Sequence, residues 1–150
     1  MAAGNWTMFR RAKYKMMAGG VTFSGGAFRA HLFVSAGSLL SAGLDVSTIA
    51  SLSNQMTATR GYATSGVVVS NVAFGFSTNN VVMSADGFCW SASGGNLGST
   101  DKTRQVMIAL SAGIPIGFAD LSTAGFAVSA GSALRINGGA GSSGRLFELA

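Results

Sequence analysis

The residues able to do covalent or acid–base chemistry in this chain are few. Histidine occurs once, at His31. A Ser–His–Asp nucleophile needs such an imidazole held between a serine and an aspartate. Serines abound and Asp45, Asp86, Asp101 and Asp120 are present, but no G-x-S-x-G elbow presents a serine. His31 lies in an alternating run, beside Arg29 and Phe33, and reads as a histidine on the surface of a strand. The acids form no convincing glycosidase pair either: Asp86 falls in a turn, Asp101 in a polar loop and Asp120 near a strand end. Cys89 is the single cysteine, so no intrachain disulfide can form and no zinc site can rest on thiols. Next to Trp90 in an apolar run, it reads as a core thiol. No His, Cys or Asp cluster has metal-ligand spacing. Gly139-Ala140-Gly141-Ser142-Ser143-Gly144 fits G-x-G-x-x-G, yet a dinucleotide site needs a helix, a strand and an acid beyond it, and only six residues follow. The match reads as a turn-rich loop. The expectation is a protein that is not an enzyme, with no catalytic residues, no cofactor and no metal.

What remains is charge and aromatic side chains, and their placement is uneven. Charged residues make up 10% of the 150, and glycine accounts for 22. Ordinary soluble domains carry about 25% charge and about 7% glycine. A surface this poor in charge suits one covered by partners in an assembly. The net charge is +5. Residues 1–44 hold Arg10, Arg11, Lys13, Lys15 and Arg29 and no acid, whereas cations and acids balance over 45–150. The segment Trp6–Met17 reads as a short helix capped by Asn5 or Thr7 and stopped by Gly19-Gly20. Trp6, Phe9, Met16 and Met17 form its apolar face, and Arg10, Arg11 and Lys15 the other. Three roles fit: docking on its own domain with the charges in water, docking on an acidic partner protein, or binding a nucleic-acid or membrane surface. No nucleic-acid reader motif accompanies the cations.

The elements that must position these residues are strands. Phe28 to Val34 alternates, with Phe28, Ala30, Leu32 and Val34 on one face, as a half-buried strand would. Val21 to Phe23 reads as a short strand before it. Residues 35–59 read as a loop with a helical turn capped by Asp45. Val67 to Phe76 reads as one strand. Val81 to Ala85 and Phe88 to Ala92 flank Asp86-Gly87, a tight-hairpin signal. Arg104 to Leu110, Ile116 to Leu121, Phe126 to Ser129, Leu134 to Ile136 and Arg145 to Leu149 complete the set, with Pro115 between two of them. Short strands at this spacing predict a single all-β domain over 1–150, a jelly-roll-like sandwich or barrel with a short N-terminal helix or arm at 1–20. No apolar stretch is long enough to span a membrane. Residues 1–5 lack a signal-peptide pattern, so synthesis in the cytoplasm is expected.

The order of these features resembles a family of small structural proteins from tailed bacteriophages. The likeness spans nearly the whole chain: a basic-aromatic segment at Trp6–Met17, the strand at Phe28-Arg29-Ala30-His31-Leu32, a Ser-rich stretch ending in Arg60-Gly61-Tyr62-Ala63-Thr64-Ser65-Gly66, the aromatics Phe88 and Trp90, an Arg-led apolar strand from Arg104, and a Gly-broken C-terminus. The Gly-Tyr-x-x-x-Gly piece is the sharpest. The resemblance implies a virion protein with a jelly-roll-like fold that decorates or cements the capsid exterior by bridging major capsid subunits, as a dimer or trimer. A neck, tail or fibre-attachment role is the alternative. The chain is poorer in acids than the resemblance leads one to expect. Trp6, Phe9, Arg10, Arg11 and Lys15 are the interface candidates, because aromatic and arginine anchors dominate contact energy. A carbohydrate-recognising β module, with Tyr62 or Trp90 stacking on sugar rings, is the competing class.

Overall fold

A computed structural model describes residues 6–19, 27–34, 39, 45–77, 80–136 and 145–149. In chain order the elements are β1 (Trp6–Met8), α1 (Arg10–Met17), β2 (Phe28–Val34), β3 (Val67–Val69), β4 (Ala73–Ser77), β5 (Asn80–Ser84), β6 (Phe88–Ser91), β7 (Thr103–Leu110), β8 (Pro115–Asp120), β9 (Ala133–Ile136) and β10 (Arg145–Leu149). The protein is mostly β, with several antiparallel sheets and, among the described residues, one short α-helix. A five-stranded sheet runs β1-β8-β7-β2-β3, a three-stranded sheet β10-β5-β4, and β6 pairs with β9.

The large sheet is built on β2 and β7, whose register runs from Phe28 opposite Leu110 to Phe33 opposite Gln105. β2 is buried on both faces, not half-buried as its alternation suggested. One face, with Phe28, points toward the smaller sheet, where Phe74 of β4 lies 6.5 Å from it. On the other face Phe33 is buried, and His31 lies against Gln55 and Gly66 of the segment 54–66. There Val34 N–H donates to the Asn54 carbonyl and Met56 N–H to that of Leu32, so this segment takes over as the neighbour of β2 where β3 ends. Alternation cannot report this second cover, because the covering chain has no regular pattern of its own.

The Gly61–Gly66 segment fits closely over β2. Gly66 has φ +73°, and a Cβ there would stand 2.6 Å from the Ala30 carbonyl oxygen and 2.7 Å from the His31 ring. Only a residue without a side chain fits both the left-handed backbone and that approach.

Several sequence expectations change. Val67–Phe76 is two strands, broken where Asn71 adopts φ 51°. Asp86-Gly87 joins no hairpin: β5 pairs with β4 and β10, and β6 with β9. Asp86 is tied back to the β3–β4 corner, its N–H donating to the Ser70 carbonyl and its carboxylate accepting from Asn71 at 2.6 Å. This tether sends the chain into another sheet. Phe126–Ser129 supplies only isolated bridges, Phe126 to Thr103 and Val128 to Leu97. The helical turn is a 3-10 turn at Ile49–Ser51 that starts after Thr48, not at Asp45. Pro115 is the first residue of β8, where its missing N–H is tolerated. The expected strand at 21–23 and the glycine loop at 139–144 lie outside the described residues.

Candidate functional site

The N-terminal segment is a strand followed by a helix, not one helix. β1 adds to the edge of the large sheet, with Trp6 opposite Ala119, Thr7 opposite Phe118 and Met8 opposite Gly117. Phe9 N–H continues the ladder to the Ile116 carbonyl at 3.0 Å, and the helix begins at Arg10. The alternation Trp6, Met8 is thus strand periodicity.

That shift re-sorts the interface candidates. Phe9 is fully buried, its ring 5.3 Å from that of Phe118, so it anchors the helix to its own domain and offers no surface to a partner. Trp6 is half-buried and packs against the core. Ala12 faces inward and Met16 partly so. At 100° per residue, Arg10, Arg11, Tyr14 and Met17 then share the outer face. Tyr14 is 70% exposed and Met17 90%, so the apolar side chains expected beneath the cations include one that stands beside them. Arg11 and Lys13 are also exposed and Lys15 is half-buried. Reading the helix as starting four residues earlier rotated this wheel and hid Tyr14. The signal for the correct phase was Phe9 itself, the first large apolar residue to break the Trp6–Met8 alternation.

Charge on this face is partly committed. Arg10 makes a bidentate pair with Asp45, Nε to Oδ1 at 3.0 Å and Nη2 to Oδ2 at 2.5 Å. The hydrogen bonds from Arg10 hold the Asp45 carboxyl below the usual carboxylate range. Arg11, Lys13 and Lys15 make no ion pair among the described residues, and no acid lies in the first turn of the helix. The uncompensated charge is therefore theirs. The whole is a tab, held by a β-ladder, a buried phenylalanine and an ion pair, that presents Tyr14 and Met17 among cations. Such a surface can dock on an acidic, partly apolar one.

The other chemistry-bearing residues do not converge on a reactive site. His31 is buried, not on a strand surface. Its Nδ1 lies 3.2 Å from Gln55 Nε2, which also lies 2.9 Å from the Tyr62 hydroxyl and 2.8 Å from the Thr64 carbonyl. Two amide hydrogens can serve two of these three acceptors at once. The Tyr62 hydroxyl accepts from Leu32 N–H at 3.3 Å. Burial pushes the His31 pKa down, with the Thr64 carbonyl opposing and Arg29 adding to the effect. Burial pushes Tyr62 up, against its bonds to Gln55 and Leu32. The group is a polar knot that ties the 54–66 segment to β2. Tyr62 and Trp90 are both buried, which removes them as sugar-stacking platforms. Cys89 is only half-buried: it sits opposite the exposed Arg135, while its neighbours Phe88 and Trp90 turn inward with their rings 5.6 Å apart. Among the described residues, no three His, Cys, Asp or Glu side chains gather into a metal-binding group, and no helix is long and apolar enough to cross a membrane.

No protein-family model matches the chain, and no curated protein or solved structure matches it.

Proposed function

We propose that this protein is a structural virion component that decorates and stabilises a bacteriophage capsid from outside by bridging major capsid subunits. The observation that carries this reading is the anchored tab: α1 is fixed to the domain through Phe9 and β1, yet it holds Tyr14 and Met17 outward among Arg11, Lys13 and Lys15. A shell protein with an acidic, partly apolar patch is the partner that this face fits. Tyr14 and the arginines replace Phe9 as the contact residues, with Lys15 at the border. The three sheets, with Phe28 meeting Phe74 between two of them, suit a jelly-roll-like sandwich.

Self-association belongs to the same reading, because a dimer or trimer grips several lattice sites at once. Its support lies on the far edge of the large sheet. Among the described residues β3 ends the five-stranded sheet, Val68 on it is 53% exposed, and no charged residue occurs from 61 to 85. Natural edges are normally guarded by charge, proline or a bulge.

The test is pelleting with shells purified from the virion source. The wild-type chain should co-sediment to saturation. An Arg11→Glu, Tyr14→Ala, Met17→Ala triple variant with an unchanged melting temperature should stay in the supernatant. Equal binding by the variant would remove α1 from the contact, and no binding by either would remove the capsid role.

A further inference from the structure

A second surface, which shares no residue with α1, is concave and polar. The 56–60 segment and the 98–101 loop enclose a cavity of about 220 Å³ lined by Met56, Thr57, Thr59, Arg60, Gly98, Ser99, Thr100 and Asp101. The backbone around it is contorted. Arg60 has φ 52° and is followed by Gly61 at φ 92°, while Gly94, Gly95 and Gly98 also have positive φ. Left-handed conformation at a residue such as arginine is uncommon, and it gathers at ligand clamps. It also has a visible consequence here. The arginine side chain lies against Gly95, where a Cβ would stand 2.0 Å from Nη1, and Nη1 donates to the Gly94 carbonyl.

The lining tells which ligand chemistry fits. Arg60 and Asp101 both line the same small space, and they form no ion pair with each other. A phosphate would meet Asp101 as well as Arg60. A metal ion would find a single carboxylate and no further His, Cys, Asp or Glu beside it among the described residues. A neutral ligand that both donates and accepts hydrogen bonds satisfies every group. Vicinal hydroxyls can donate to Asp101, accept from Arg60 and exchange bonds with Thr57, Thr59, Ser99 and Thr100. The volume is below that of pockets for drug-sized molecules, about 300 Å³ upward, and suits one ring.

We propose that this cavity is a binding site for a single sugar residue, held by Arg60 and Asp101 across its hydroxyls. It differs from the stacking mode that exposed aromatics would give, and it stands whether or not the capsid reading does.

The experiment is saturation-transfer NMR of the full chain with glucose, galactose, mannose and N-acetylglucosamine, followed by titration with the best of them. At least one should bind with millimolar affinity. Asp101→Asn and Arg60→Gly, the latter chosen because glycine keeps the left-handed backbone, should each weaken it by about tenfold or more with melting temperatures near the wild type. A Tyr14→Ala variant should bind as the wild type does. No transfer from any of the four sugars, or equal affinity in the two folded pocket variants, would overturn the proposal.

Discussion

Phe9 and Tyr14 lie five residues apart and do opposite work. Phe9 is enclosed against Phe118, whereas Tyr14 packs on little of its own chain. Truncating a buried phenylalanine leaves a cavity and costs about 3–5 kcal/mol, so Phe9→Ala should lower stability by that amount in denaturant titration. Tyr14→Ala and Met17→Ala should each change it by less than about 0.5 kcal/mol, and their effect should appear only in shell binding. The reverse order would mean that α1 packs the other way round. His31 supplies a pH test. Its pKa is lowered from 6.5 in the folded state, so the unfolded chain binds the proton first as pH falls. The contribution of the neutral ring is complete above the unfolded value and is lost below it. Melting temperature should be level above about pH 7 and fall toward about pH 5, and His31→Gln should flatten part of that slope. A slope unchanged in the variant would assign it to the carboxylates instead. The burial of His31 was not legible in sequence, because the cover comes from residues 54–66, whose Ser, Thr and Gly content reads as loop.

At the scale of elements, the uncharged strand β3 at the end of the large sheet makes its own prediction. If β3 pairs with a second copy, Val68→Glu should place like charges across the two-fold and shift the chain to monomer in light scattering, while its position opposite Arg29 of β2 keeps the melting temperature near the wild type. A wild type that stays monomeric up to high concentration would remove self-association from the account. The strands themselves were largely readable. β2, β7, β8, β9 and β10 fall within a residue or two of the runs Phe28–Val34, Arg104–Leu110, Ile116–Leu121, Leu134–Ile136 and Arg145–Leu149; the first two are long enough to show their period, and the last two alternate apolar and charged residues. Pairing was not readable. Asp86-Gly87 carries the hairpin signal, but the bonds of Asp86 to Ser70 and Asn71 are long-range and outweigh the local turn preference. The tab was half legible: its charge cluster stood out at once, while its outer face depended on where strand gave way to helix, and boundaries are where periodicity says least.

For the whole molecule, the balance of charge is the guide. The chain is nearly neutral from residue 45 on, and its +5 comes from the first 44 residues. A particle with one cationic tab on an otherwise weakly charged body is steered toward an acidic surface in one orientation. Shell binding should therefore weaken steeply with salt, about tenfold or more between low and physiological-to-high ionic strength. Salt-insensitive binding would place the contact on the uncharged strands.

The most direct test of the capsid reading is the copy number of this protein in purified particles, by quantitative mass spectrometry against the major shell protein. The account predicts a number that scales with the shell lattice, on the order of hundreds per particle for closed, repeated sites. A dozen copies or fewer would place the protein at the neck or tail, and its absence from particles would contradict the virion role altogether.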